Sequence, residues 1–215
     1  MRVSKKYDVR LNEILDAAEI LFSQIGYEKT TVNNILEKVG IGKGTFYHYF
    51  QSKEELGDAV ITRVVEYIAA GADAARSRPA ENAHDKMVAT LYALRISKNP
   101  HSDFINAMGN PYNAFLHQKF LIKAIGRISP TLAAIAEEGI SEGFYQSAFP
   151  LETFEILIAA IQTIHNWNIM DKTVDELTLR MTAIVHMMEL SLNAPKGSFN
   201  ILLGELPAKE EKHDG

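Results

Sequence analysis

Residues 43–50 read Lys43, Gly44, Thr45, Phe46, Tyr47, His48, Tyr49 and Phe50. One short stretch combines a cation, a hydroxyl and three rings with polar tips. Phe46 and Phe50 stand one helical turn apart, an i, i+4 pair that shares a face and belongs in a core. Lys43, Thr45 and the three polar aromatics then project elsewhere. Phenol hydroxyls and an imidazole suit phosphate oxygens, contacts that fix the register of a protein on a duplex without reading its sequence. A lysine and a threonine suit base edges or the nearest phosphates, and Gly44 lets the backbone come close. Lys53, in the first turn of the following helix, can meet a phosphate that the helix N-terminus also favours. The bland alternative is a surface helix with incidental aromatics.

Other constellations fall short of a chemistry. Gly40, Gly42 and Gly44 around Lys43 look like a phosphate loop, but Lys43 is followed by Gly44 rather than serine or threonine, and no strand signal precedes it. His84 and Asp85 resemble the dipeptide of metal-dependent phosphohydrolases, a chemistry that needs further ligands on other helices; as a pair they read as the start of a helix. His101, His117, His165 and His186 form no i, i+4 pair on one helix face. No Ser/His/Asp set or carboxylate pair follows from spacing, so no catalytic residue, metal or cofactor is expected.

The elements that must position these residues are helical almost throughout. Ile14, Ala17, Ala18, Leu21, Phe22 and Ile25 recur at helical spacing, and Gly26 closes that helix. Thr31 caps a second helix carrying Val32, Ile35, Leu36 and Val39, which Gly40 stops. Ile41 and Gly42 lead into the third. Ser52, Lys53, Glu54 and Glu55 form a capping box that opens a longer helix through Leu56, Val60, Val64 and Ile68. Arg76 to Pro79 is a break, and a helix with Met87, Leu91, Leu94 and Arg95 follows. Asn110-Pro111 and Ser129-Pro130 each place a capping residue before a proline at a first helical position. Two apolar helices lie at about 152–168 and 174–193. The expectation is an all-α fold of about nine or ten helices. Two short helices joined through Gly40 behind a supporting helix make a helix-turn-helix, which presents its second helix to a DNA major groove.

Composition agrees with a folded helical protein. The 215 residues are 47% hydrophobic and 23% charged, with no cysteine. These figures exclude a disordered chain, disulfide scaffolds and cysteine-ligated metal sites. No stretch approaches the roughly 18 uncharged apolar residues of a membrane span, and residues 1–13 hold no apolar signal region. A cytoplasmic protein with no membrane partner is expected. The net charge of −5 argues mildly against a nucleic-acid partner, but it is an average. Residues 1–53 carry eight Lys/Arg against six Asp/Glu, a net +2, and the remainder carries fourteen against twenty-one, a net −7.

Residues 9–58 resemble the DNA-binding domain of the TetR family of bacterial transcriptional regulators. The resemblance is carried by Ile14 to Ala18, Leu21-Phe22, Gly26-Tyr27, Thr30-Thr31-Val32, Ile35, Val39-Gly40-Ile41, Lys43 to Phe50 and Lys53 to Leu56. A second match, Glu138 to Phe144, is similar to a glycine-spaced segment that many members carry before their dimerisation helices. Gly42 stands where the family usually has serine, and Leu36 and Val39 where alanine is common. The resemblance implies a DNA-binding domain over 1–53, a ligand-binding and dimerisation domain over 54–205 and a charged tail over 206–215. Thr31, Lys43, Gly44, Thr45, Tyr47, His48, Tyr49 and Lys53 are the candidate DNA contacts.

The last two helices are apolar on more than one face and must be covered on more than one face. A second subunit is the expected cover, and the resemblance implies the same homodimer. Ile156, Ala160, Thr163, Trp167, Ile184 and Met188 are its candidate interface residues. Met87, Leu91, Tyr92, Phe104, Met108, Tyr112, Phe115 and Phe144 together suit a small-molecule pocket, apolar and aromatic with a few amides such as Asn113 nearby. The expected function is a repressor released from a pseudo-palindromic double-stranded operator by a small apolar or amphipathic effector. The alternative is a helical small-molecule carrier or enzyme with a vestigial helix-turn-helix.

Overall fold

The computed structural model describes residues 2–94, 99–165 and 173–204. Among these the fold is all-α, with nine α-helices and two short 3-10 turns. The helices are α1 (Arg2–Ile25), α2 (Val32–Val39), α3 (Lys43–Tyr49), α4 (Lys53–Arg76), α5 (Ala83–Ala93), α6 (Ser102–Ala107), α7 (Ala114–Ser141), α8 (Pro150–His165) and α9 (Val174–Leu192). No helix of the described residues is long and apolar enough to cross a membrane.

Local chemistry accounts for most boundaries. Thr31 accepts from the Asn34 N–H at 3.2 Å while Asn34 Oδ1 accepts from the Thr31 N–H at 2.9 Å, a reciprocal cap on α2. Ser52 Oγ accepts from the Glu55 N–H and the Glu55 carboxylate reaches back to the Gln51 N–H, opening α4. Asn110 accepts from the Tyr112 N–H ahead of Pro111, as its sequence suggests. Ser129-Pro130 does not open a helix: α7 runs through Pro130 without interruption. Leu132, Ala133, Ile135 and Ala136 on one side and Ala124 and Ile128 on the other are buried. That packing outweighs the one backbone hydrogen bond and the carbonyl clash that a mid-helix proline costs, about 3 kcal/mol.

The chain divides into two compact units. One comprises residues 1–67 with 96–123, the other 68–95 with 124–215. The first is built on Ile14, Ala18 and Phe22 of α1, Ile35 of α2, Phe46 of α3 and Leu56, Val60 and Val64 of α4, all fully buried. Phe104, Ile105 and Leu116 complete that core from the 96–123 segment. The second is built on Ala72, Met87, Leu132, Ile135, Phe154, Leu192 and Phe199, and in it α8 packs along α9.

Candidate nucleic-acid interface

The turn between α2 and α3 is set by Gly40. Its φ of 72° and ψ of 41° are left-handed, and both its N–H and that of Ile41 donate to the Leu36 carbonyl, at 2.8 and 3.1 Å. A Cβ at Gly40 would meet no atom within 4 Å. Backbone conformation rather than crowding therefore selects glycine here. Gly42 caps α3 in extended conformation without a side-chain bond, as its lack of a hydroxyl requires.

α3 has two contrasting faces. Phe46 and Phe50 are buried, which fixes the rotation of the helix about its axis. Lys43, Gly44, Thr45, Tyr47 and His48 are exposed in consequence, Tyr47 by 53%, while Tyr49 is half-buried. Lys43 stands at the first position of the helix with no ion-pair partner among the described residues. The exposed surface of α3 offers a cation, hydroxyls and an imidazole, Lys43 one turn from Tyr47 and Thr45 beside His48, a composition suited to phosphate and base-edge contacts. Thr31 is exposed at the start of α2, with its hydroxyl engaged in the cap.

Lys53 occupies a different place from the phosphate contact its position suggests. Its ammonium donates to the carbonyls of Tyr27 and Thr30, both at 2.8 Å, and lies 4.3 Å from the centroid of the Tyr27 ring. Burial lowers its pKa from the ordinary lysine value, against the pull of the Glu28 carboxylate. Lys53 thus ties the loop between α1 and α2 to the start of α4.

The same loop is held from the 96–123 segment. Asn113 is fully buried; its Oδ1 accepts from the Tyr27 N–H at 2.7 Å and its Nδ2 donates to the carbonyls of Phe22 and Ala107, at 3.1 and 2.8 Å. The Glu28 N–H donates to the Tyr112 carbonyl, the Lys29 ammonium lies over the Tyr112 ring, and Phe115 stacks on Tyr27 at 5.4 Å. Gly26, at a φ of 89°, admits this approach, since a Cβ there would fall 2.5 Å from that of Tyr112. Composition alone suggests a ligand pocket for Asn113, Tyr112 and Phe115, because spacing within one helix carries no signal of a partner 86 residues away.

The remaining candidates fall in both units. Phe104 and Met108 are buried in the first. Met87 is fully buried in the second, where Leu91 and Tyr92 are half-buried and Phe144 is exposed. Four of the eight pocket candidates (Phe104, Met108, Tyr112 and Phe115) belong to the first unit and four (Met87, Leu91, Tyr92 and Phe144) to the second. Of the dimer candidates, Ile156 is 62% exposed and Ala160 is half-buried, whereas Ile184 and Met188 are turned into their own unit. The exposed apolar side chains of α9 are instead Leu179, Ala183, Met187 and Leu190. Trp167 and the Thr163 side chain, like Arg95 and the tail from residue 205, lie outside the described residues.

A capped short helix, a left-handed glycine and a second short helix with an exposed polar surface define a helix-turn-helix protein. Residues 14–60 match the family described as "Bacterial regulatory proteins, tetR family", and residues 95–187 match "Tetracyclin repressor-like, C-terminal domain". The chain belongs to the TetR family of transcriptional regulators. The HTH-type transcriptional regulator YhgD of Bacillus subtilis is 28% identical over 77% of this chain and 88% of its own length. The HTH-type transcriptional repressor KstR2 of Mycobacterium tuberculosis is 35% identical, over 31% of this chain and 34% of its own. Among solved structures, SmeT, the repressor of the Stenotrophomonas maltophilia multidrug efflux pump SmeDEF, superposes with a TM-score of 0.65 over 92% of this chain and 96% of its own, at 18% identity. At that identity the likeness is one of fold.

Proposed function

We propose that this protein is a homodimeric transcriptional repressor that binds a pseudo-palindromic operator through α3 and is released by a small apolar or amphipathic molecule. The observation that carries the DNA-binding part is the exposure of Lys43, Thr45, Tyr47 and His48 on a helix held by the buried Phe46 and the Phe50 that follows it. Lys43 and Thr45 read base edges, Tyr47, His48 and Tyr49 hold phosphates, and Gly44 and Thr31 allow close approach. Lys53 supports the loop behind them. A cytoplasmic location follows from a DNA target.

Dimerisation through α8 and α9 is supported by Ile156, Leu179, Met187 and Leu190, each at least half exposed. Apolar side chains aligned on neighbouring helices favour a cover. An effector is supported by Thr90 and Ser129 in the second unit, whose hydroxyls are buried without a hydrogen-bond partner. Each offers a polar anchor inside the second unit, Thr90 on the same helix as Met87, Leu91 and Tyr92 and Ser129 on α7. The fold of SmeT and of a gamma-butyrolactone receptor, with a TM-score of 0.62, supports the same reading.

The test is fluorescence anisotropy of the full chain with duplex from upstream of its own gene and with scrambled duplex. Tyr47→Phe weakens both, whereas Lys43→Ala and Thr45→Ala erase the preference for one over the other. Equal effects of every variant on both duplexes contradict the assignment.

A further inference from the structure

α1 begins at Arg2, long before its first core residue, Ile14. Tyr7 stands in that leading stretch and is 41% exposed, so the core does not account for its ring. The ring is nonetheless engaged. It stacks on Tyr49 with centroids 4.6 Å apart and planes at 28°, and meets the edge of His48 at 6.1 Å and 83°. His48 and Tyr49 are themselves in edge contact at 5.3 Å and 84°. The three rings form a closed cluster between the start of α1 and the last turn of α3.

That last turn has little else to hold its outer side. α3 is seven residues long, lacks a side-chain cap at Gly42 and buries Phe46, with Phe50 just after it, on its inner face. A short helix gains little rigidity from its own hydrogen bonds. An exposed imidazole and phenol on it would otherwise sample several rotamers, and binding DNA would have to order them. We propose that Tyr7 is a positioning residue for the recognition helix: its ring holds His48 and Tyr49 in the orientation in which they meet DNA. The inference rests on the DNA-binding reading above and adds to it a residue outside the helix-turn-helix.

The experiment uses the full chain as wild type, Tyr7→Ala, Tyr7→Phe, Tyr49→Ala and the Tyr7→Ala/Tyr49→Ala double variant. Each is measured for affinity to duplex that the wild type enriches from a random pool, and for the His48 Hε1 resonance in the free protein. An aromatic contact of this kind corresponds to about a 2- to 10-fold change in affinity. Tyr7→Ala is expected to weaken binding by that factor and to move the His48 resonance by removing a neighbouring ring current. Tyr7→Phe restores both, because the ring rather than the hydroxyl makes the stack. The double variant loses less than the sum of the two single variants, because the Tyr7–Tyr49 stack is common to both while Tyr7 also meets His48. Unchanged affinity in Tyr7→Ala, additive losses in the double variant, or a Tyr7→Phe protein as weak as Tyr7→Ala overturns the positioning role. A His48 resonance that does not move in Tyr7→Ala overturns the cluster itself without reference to DNA. A wild-type chain that enriches no duplex overturns the underlying DNA-binding reading, and the positioning role with it, even where the resonance does move.

Discussion

Lys53 and Asn113 show how a residue's type can be legible while its task is not. A lysine in the first turn of α4 suits a phosphate by every local criterion, yet its three donors are directed at the α1–α2 loop. Its carbonyl partners lie 23 to 26 residues back in the chain, and only the folded arrangement brings them within reach. Asn113 has three hydrogen-bond partners and no exposure, so its replacement by alanine strands the Tyr27 N–H and takes a donor from the Phe22 and Ala107 carbonyls, the latter of which keeps the Asn110 N–H. Each stranded buried group costs about 1–3 kcal/mol. Asn113→Ala is therefore expected to destabilise the protein by roughly 2–4 kcal/mol, a fall in melting temperature of roughly 5–12 °C, read by circular dichroism. A melting temperature unchanged within 1–2 °C, about the shift from 0.5 kcal/mol, contradicts the clamp.

At the scale of elements, periodicity and caps carried most of the information. Thr31, Gly40 and Asn110 act where their types suggest, because each solves a problem local to four or five residues. Pro130 does not, because a helix boundary there is decided by the side chains packed on either side of it. The rotation of α9 was likewise beyond the sequence. Leu177, Met181, Ile184 and Met188 form one apolar stripe and Leu179, Ala183, Met187 and Leu190 another, and only packing against α8 decides which faces inward. Leu190→Glu should consequently convert a dimer to a monomer in sedimentation equilibrium at micromolar concentration, while Ile184→Ala lowers stability by roughly 2–4 kcal/mol. A Leu190→Glu protein that remains dimeric contradicts the assignment of that face. Glu138 of α7 binds Arg76 of α4 and Lys86 of α5. The Lys86 hydrogen bond, then that of Arg76, holds its carboxyl below the ordinary value of 4.5, with burial opposing them. A depressed acid contributes stability that is present above its unfolded pKa and lost as pH falls through the folded one. Melting temperature should therefore drop below about pH 4.5. Glu138→Gln should lower it at pH 7 and flatten that acid dependence; a variant with the wild-type dependence contradicts the linkage.

For the whole molecule, net charge is a poor guide and position a better one. The −5 of the full chain hides a +2 over residues 1–53, and even that figure does not say how each cation is used. Arg10 pairs with Glu13, Lys29 covers Tyr112 and Lys53 is clamped. Lys43, exposed at the head of α3, is the cation that the fold sets beside Thr45 and Tyr47. A two-fold dimer that presents two such helices should contact half-sites about 34–36 Å apart, one turn of duplex, or a multiple of that spacing. The most direct test is to sequence the duplexes that the full-length protein retains from a random pool. Two inverted half-sites at such a spacing, retained by wild type and lost in Lys43→Ala, are the predicted result. A pool that stays random, or a motif that Lys43→Ala retains unchanged, contradicts the claim that α3 reads DNA.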